Sequence, residues 1–128
     1  MNQYIINIKS NGISDQAELY RNGDLLLFKY KKMRIKVIDT FPFRGLRRIR
    51  EELETKNIYL LLNGSRRDVN ASGITMYSEF AYEHQLGKLI DESKMVNIFE
   101  NTKYSELIGT VKEQSEFVQK WINSIKDA

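Results

Sequence analysis

Few residues of this chain can carry acid–base or nucleophilic chemistry. His84 is the only histidine, and the sequence contains no cysteine. Catalysis by a nucleophile and a base needs a proton acceptor beside the attacking group, and no pattern around His84 supplies a serine partner. One imidazole without thiolates leaves only oxygen ligands for a metal. We therefore expect a packed or surface histidine, no catalytic residue, no metal and no cofactor.

Two further patterns have a functional interpretation. Asp39, followed by Glu54-Thr55-Lys56, matches the Asp and Glu-x-Lys pattern with which one nuclease superfamily holds a divalent ion. In that fold Glu-x-Lys lies on a strand, whereas here it falls in the last turn of a predicted helix. Residues 63–67 could present backbone N–H groups and two guanidinium groups to a phosphate, but a plain surface turn is the simpler prediction.

The charge is divided unevenly along the chain. Lys and Arg number 20 and Asp and Glu number 17, so the net charge is +3. Residues 1–70 hold 14 basic and 8 acidic residues (+6), whereas residues 71–128 hold 6 and 9 (−3). The basic half keeps a nucleic-acid-binding module open as an alternative. Its cations are Lys29, Lys31, Lys32, Arg34, Lys36, Arg44, Arg47, Arg48 and Arg50.

Periodicity in the first half predicts the elements that would position these residues. The pairs Asn11-Gly12 and Asn22-Gly23 are typical of two-residue hairpin turns, in which both central residues have positive φ. Alternation over residues 34–37 places cations on one face of a strand and aliphatic side chains on the other. We predict an antiparallel β-meander, a helix from Pro42 to about residue 56, and a buried strand over residues 58–62. Strand, helix and strand would form one β-α-β crossover into a mixed sheet.

The second half has one strong helix signal. Thr110 and Glu113 form a capping-box pattern, and an apolar stripe follows it, so we predict a docked helix over residues 111–126. Residues 95–99 are a candidate short strand. The fold class is therefore α+β or mixed α/β, in a single domain covering residues 1–128. No apolar run is long enough to span a membrane and no export signal is recognised, so a soluble cytoplasmic protein is expected.

Three segments resemble a known family as a set: LNGSRRDVNASG (62–73), MVNIFE (95–100) and ELIGTVKEQSEFVQKWINSI (106–125). Together they resemble the immunity proteins of bacterial polymorphic toxin systems, in particular those of contact-dependent growth inhibition. The resemblance implies a non-enzymatic cytoplasmic protein that binds and neutralises one cognate toxin domain, commonly a nuclease. It implies no nucleic-acid or membrane partner.

The charge distribution indicates where such a partner would bind. Nuclease toxins present basic clefts, and an inhibitor gains association rate and specificity from a complementary acidic patch. Only the C-terminal half has an acidic balance. We therefore predict a partner-binding surface of four carboxylates and two aromatic anchors: Glu79, Glu83, Asp91 and Glu92 with Tyr77 and Tyr82.

Overall fold

The computed structural model describes residues 1–126 as two antiparallel sheets and two longer helices. A five-stranded sheet has the order β4-β3-β2-β1-β5, and a three-stranded sheet has the order β6-β7-β8. The α+β class, the N-terminal meander and the C-terminal helix are as predicted. No helix within residues 1–126 is long and apolar enough to cross a membrane. The elements are β1 (Asn2–Ser10), β2 (Ile13–Asn22), β3 (Leu25–Tyr30), β4 (Met33–Ile38), α1 (Pro42–Glu54), β5 (Ile58–Leu60), β6 (Val69–Asn70), β7 (Phe80–Glu83), β8 (Met95–Asn97) and α2 (Val111–Lys126).

Three two-residue turns set the register of the meander. Asn11 and Gly12 both have positive φ, at 52° and 79°, as the first predicted turn requires. The second turn lies one residue later than predicted. Asn22 pairs with the first residue of β3, so Gly23 and Asp24 form the turn, and only Gly23 has positive φ (58°). Glycine at the first central position is the pattern of a type II′ turn rather than type I′. The third turn, Lys31-Lys32 between Tyr30 and Met33, was not predicted and has Lys31 at φ 53°.

The predicted β-α-β crossover is present, but it does not produce a mixed sheet. β4, α1 and β5 do follow one another as strand, helix and strand, but β5 pairs antiparallel with β1 at the edge opposite β4. Helix α1 has 13 residues and is therefore about 20 Å long, close to the roughly 19 Å between the first and fifth strands of a sheet. It can carry the chain across the sheet to the open edge of β1. There β5 runs in the same direction as β4 and antiparallel to its neighbour β1, so the sheet contains only antiparallel pairings.

Helix α1 covers one face of the five-stranded sheet. Its buried side chains include Phe43, Leu46, Ile49 and Leu53, the stripe that the helical spacing predicts. They pack against alternate residues of the strands, whose side chains share the inner face. The opposite face of this sheet is covered by none of the described elements. The sheet therefore has one apolar face covered by α1 and one open face, on which Ile5 and Ile38 are exposed beside the polar side chains.

Helix α2 begins as predicted but docks through a polar side chain. The capping box is present: Thr110 N donates to Glu113 Oε1 (2.8 Å) and Glu113 N donates to Thr110 Oγ1 (3.0 Å). Gln114 is the only fully buried residue of α2, whereas the apolar stripe is half-buried. That stripe consists of Phe117, Val118, Trp121, Ile122 and Ile125.

Arg50 lies inside the protein and not on the predicted positive surface. It is only 3% exposed. Its guanidinium donates to Gln114 Oε1 (2.7 Å) and to the carbonyl oxygens of Gly64 (3.2 Å) and Gly109 (2.9 Å). Burial lowers the pKa of Arg50 to about 10. Because it points inward from α1, Arg50 joins α1 to α2 instead of contributing to an exposed basic face.

Candidate functional site

The residues predicted to bind a partner lie on and around the three-stranded sheet. Tyr82 in β7 pairs with Met95 in β8. Ala81 and Val96 face the core, so Phe80, Tyr82 and Met95 share the outer face. The structure therefore places Tyr82 on the outer face of this sheet, beside Phe80 and Met95 and the polar side chains of Asn70 and Asn97.

Tyr77 precedes this sheet, at the end of the 3-10 helix Gly73–Tyr77. Its side chain is 66% exposed, and its ring packs edge-on against Phe41 with centroids 5.0 Å apart. This contact holds the ring in place while most of its surface stays in water. An exposed aromatic side chain with restricted motion is well suited to act as an anchor for a partner.

Glu79 connects the two sheets. Its Oε2 accepts hydrogen bonds from Tyr4 Oη (3.1 Å) and Arg21 Nη1 (3.1 Å), which belong to β1 and β2. Burial and the Glu79 carboxylate raise the pKa of Tyr4. The carboxylate of Glu79 is therefore engaged in an internal ion pair, although its residue was predicted to face a partner.

Glu83 belongs to a second internal ion pair, which centres on Arg66. The buried guanidinium of Arg66 donates Nε and Nη2 to the two oxygens of Asp68 (3.0 and 2.7 Å) and Nη1 to Glu83 Oε1 (3.0 Å). Burial lowers the pKa of Arg66, but the two carboxylates outweigh it and raise the pKa overall. Asp68 was missed in the sequence because Arg66 and Asp68 were interpreted as parts of a surface turn.

The phosphate-binding interpretation of residues 63–67 is wrong. The backbone N–H groups of Gly64, Ser65 and Arg66 donate to the carbonyl oxygens of Ile98, Leu62 and Asn63. A Cβ atom on Gly64 would lie 2.6 Å from Leu46 Cδ2, so this glycine is needed for close packing. Both the amides and the first guanidinium are therefore occupied within the chain.

His84 is packed, as predicted. It is 5% exposed, and its ring meets Trp121 edge-on with centroids 4.6 Å apart. Nδ1 lies 2.9 Å from the carbonyl oxygen of Tyr82. Because a carbonyl oxygen only accepts, Nδ1 carries the proton and Nε2 of the neutral ring is an acceptor. Burial lowers the pKa of His84, which favours this neutral form.

A cleft of about 250 Å³ lies beside His84. Asp68, Glu83 and Asp91 line it together with His84. Asp91 Oδ1 accepts from the backbone N–H (3.0 Å) and the hydroxyl (2.7 Å) of Ser93, and the hydroxyl contact is the main reason that the pKa of Asp91 is lowered. The structure thus brings Glu83 and Asp91 together at one cleft. Glu79 does not line this cleft and forms the ion pair with Arg21. Glu92 is exposed next to Asp91.

A second surface is the open face of the five-stranded sheet. The strand pairing aligns Ile5, Glu18, Lys29 and Arg34 across four strands. Lys9 and Lys36 share this face, so it carries four cations and one carboxylate. The predicted alternation in β4 is confirmed, because Arg34 and Lys36 are exposed and the residues between and after them are buried.

The carboxylates of the nuclease-like pattern are not brought together. Asp39 precedes α1 and Glu54 ends it, so the helix length separates them by roughly 18 Å. Asp39 accepts from Arg44 Nε (2.9 Å) and lies 3.5 Å from Arg48 Nη1. The Arg44 hydrogen bond is the main cause of a lowered pKa of Asp39. Among residues 1–126 no group of three or more acidic or histidine side chains is arranged to hold a metal ion.

No protein-family model matches the sequence, and no curated protein matches it. A functional assignment therefore depends on the residues and geometry described above, together with the resemblance of the three segments.

Proposed function

We propose that this chain is a non-enzymatic immunity protein that binds and neutralises a cognate toxin domain, a nuclease, in the bacterial cytoplasm. The resemblance of residues 62–73, 95–100 and 106–125 suggests the class. One structural observation supports a protein-binding surface after residue 70. Five of the ten exposed large apolar side chains among the described residues lie between positions 76 and 95: Met76, Tyr77, Leu86, Leu89 and Met95. A contiguous surface formed by such side chains would be typical of a protein interaction site.

The side chains around this apolar surface suggest how a toxin would be held. Tyr77 and Tyr82 provide aromatic contact area, and Leu89 is 78% exposed. Asp91 and Glu92 add exposed negative charge beside them. Negative charge accelerates encounter with a basic cleft, and apolar contacts near the centre of an interface provide most of its affinity. Neutralisation would follow from covering the cleft that binds the nuclease substrate.

Co-expression with the toxin domain encoded immediately upstream tests this function. We expect the two chains to co-purify and the cells to survive. The variants Tyr77→Ala and Leu89→Ala should each weaken the complex by about 2 kcal/mol, roughly 30-fold. The matched control is Ile13→Ala, because Ile13 is a 70% exposed aliphatic residue in a distant hairpin.

Charge reversal measures the electrostatic contribution to toxin binding separately from that of the apolar contacts. Glu92→Lys should slow association and decrease the dependence of toxin binding on salt concentration, because less attraction remains to be screened, whereas Glu52→Lys on α1 should change neither. Absence of both co-purification and protection would refute the immunity function. Equal effects of Leu89→Ala and Ile13→Ala would refute the location of the surface.

A second candidate function is nucleic-acid binding by the open sheet face. The observation that favours it is the ratio of four cations to one carboxylate on a face that no described element covers. Binding of a single-stranded oligonucleotide should then weaken with salt, with a logarithmic slope near −3 for about four phosphate contacts. Lys29→Glu should reduce binding and Lys112→Glu on exposed α2 should not. Binding that is insensitive to salt would refute this alternative.

A further inference from the structure

The cleft beside His84 contains hydrogen-bond acceptors that the chain itself leaves uncommitted. Arg66 bonds Oε1 of Glu83, and Ser93 bonds Oδ1 of Asp91. The second oxygen of each carboxylate has no hydrogen-bond partner within residues 1–126. Both residues line the same cleft. Their positions are fixed by the bonds to Arg66 and Ser93, so the acceptors are held in place before a ligand arrives.

His84 provides an independent indication of a ligand. Its side chain is more than nine-tenths buried and lines the cleft. Unlike the two carboxylates, it is an imidazole. Nδ1 is occupied by the carbonyl oxygen of Tyr82, whereas Nε2 has no hydrogen-bond partner in the described chain. Nε2 is also not fully enclosed in the protein. Nε2 is therefore an acceptor that no group of the described chain occupies.

The ligand chemistry follows from these groups. Two carboxylate oxygens and one imidazole nitrogen accept hydrogen bonds, so a group that only donates is complementary. A guanidinium provides five N–H donors in a planar fork and pairs with several acceptors at once. The exposed side chains of Lys88 and Lys94 also line the cleft, but neither forms an ion pair within residues 1–126. The charge of Lys94 nevertheless contributes to the lowered pKa of Asp91, so a bound guanidinium would compete with this ammonium group.

We propose that this cleft binds an arginine side chain of the partner protein, with the guanidinium held by Glu83, His84 and Asp91. The inference deepens the proposed function and rests on it for the identity of the partner. Glu83 and Asp91 would then bind one defined group of the partner, in addition to attracting its positive charge at long range.

The first experiment uses the isolated chain and n-butylguanidinium as the probe, followed by nuclear magnetic resonance. We expect saturable shifts of the His84 imidazole and of amides 83–91, with a dissociation constant on the order of 10 mM. Asp91→Asn and His84→Phe should each weaken binding at least about fivefold. The control Glu100→Gln, at an exposed position that does not line the cleft, should leave it unchanged. Urea unfolding of each variant verifies that the fold is retained.

Two outcomes of this experiment would overturn the inference. The first is equal binding of n-butylammonium, which would refute the preference for a guanidinium. The second is an equal effect of Asp91→Asn and Glu100→Gln, which would show that the probe does not bind in the cleft.

A second experiment separates this inference from the proposed function. In the complex with the co-expressed toxin domain, Asp91→Asn should weaken binding about tenfold and Glu100→Gln should not. A stable complex combined with no probe binding would refute the arginine site and support the immunity function. Probe binding without any complex would support the site and refute the immunity function.

Discussion

Removal of the Gln114 side chain should destabilise the protein strongly, because its amide bonds to four buried groups. Its Oε1 accepts from Arg50 (2.7 Å), and its Nε2 donates to the carbonyl oxygens of Gly64, Arg66 and Val69 (3.0, 2.8 and 2.9 Å). These contacts join α2 to α1 and to the segment that enters β6. The stability of the C-terminal helix therefore depends on one amide.

The magnitude follows from the groups that Gln114→Ala would leave without partners. Arg50 would lose one of three acceptors, and a buried hydrogen bond to a charged group contributes about 1.5–3 kcal/mol. The oxygen of Arg66 keeps the N–H of Val69 as a donor, and the oxygen of Gly64 keeps Arg50. The oxygen of Val69 loses its side-chain donor, at a cost of about 1–3 kcal/mol. Together these contributions give a loss of about 2.5–6 kcal/mol.

Urea unfolding measured by circular dichroism and by Trp121 fluorescence tests this value. Gln119→Ala is the matched control, because Gln119 lies on the same helix but is exposed, and it should change the free energy of unfolding by less than about 0.5 kcal/mol. Gln114→Met preserves length without the amide and should still lose about 2 kcal/mol or more. A loss below about 1 kcal/mol for Gln114→Ala would refute the role of this amide.

Three further predictions concern stability. Burial lowers the pKa of His84 below its ordinary value of 6.5, so the stabilising contribution of the neutral ring is complete above pH 6.5 and is lost as the pH falls below it. The free energy of unfolding should therefore decrease from pH 7 to 5 more in the wild type than in His84→Phe. Parallel pH profiles of the two proteins would contradict this. Thr110→Ala removes the capping bond to Glu113 N and should cost about 1 kcal/mol in urea unfolding. Thr40→Ala, at an exposed threonine outside any helix, serves for comparison. Gly64→Ala should cost about 1–3 kcal/mol of unfolding free energy, because the added methyl group would lie 2.6 Å from Leu46 Cδ2. A thermal midpoint equal to that of the wild type would show that the site can hold the methyl group.

The strands and helices could be predicted because their signals are local. Asn11-Gly12 specifies a turn through the φ angles of two adjacent residues, and the capping box of Thr110 and Glu113 spans one helical turn. Alternation in β4 and the apolar stripe of α1 are likewise local, because each element turns its apolar side chains toward the same interior. The sheet order could not be predicted in the same way. The edge that β5 joins depends on which face α1 covers, and no residue of β5 encodes that choice.

The candidate site shows the same limit. Tyr77 and Asp91 are exposed, as a binding surface requires, and Asp91 and Glu83 share one cleft. However, the sequence contains no sign that Glu79 pairs with Arg21 or that Glu83 pairs with Arg66, because these partners are 58 and 17 positions apart. Charge counting treats every carboxylate as available, whereas an ion pair formed on folding commits some of them internally.

The sequence by itself determined the class of the fold, the limits of both long helices to within about two residues and the scarcity of catalytic groups, since one histidine and no cysteine are facts of composition. Tertiary structure decided which charges are used inside the protein. Arg50 and Arg66 have the same side chain as the exposed Arg34, but desolvation makes their bonds to carbonyl, amide and carboxylate oxygens obligatory. Burial is a property of the assembled chain, and it alone separates the arginines that hold this protein together from those that can meet a partner.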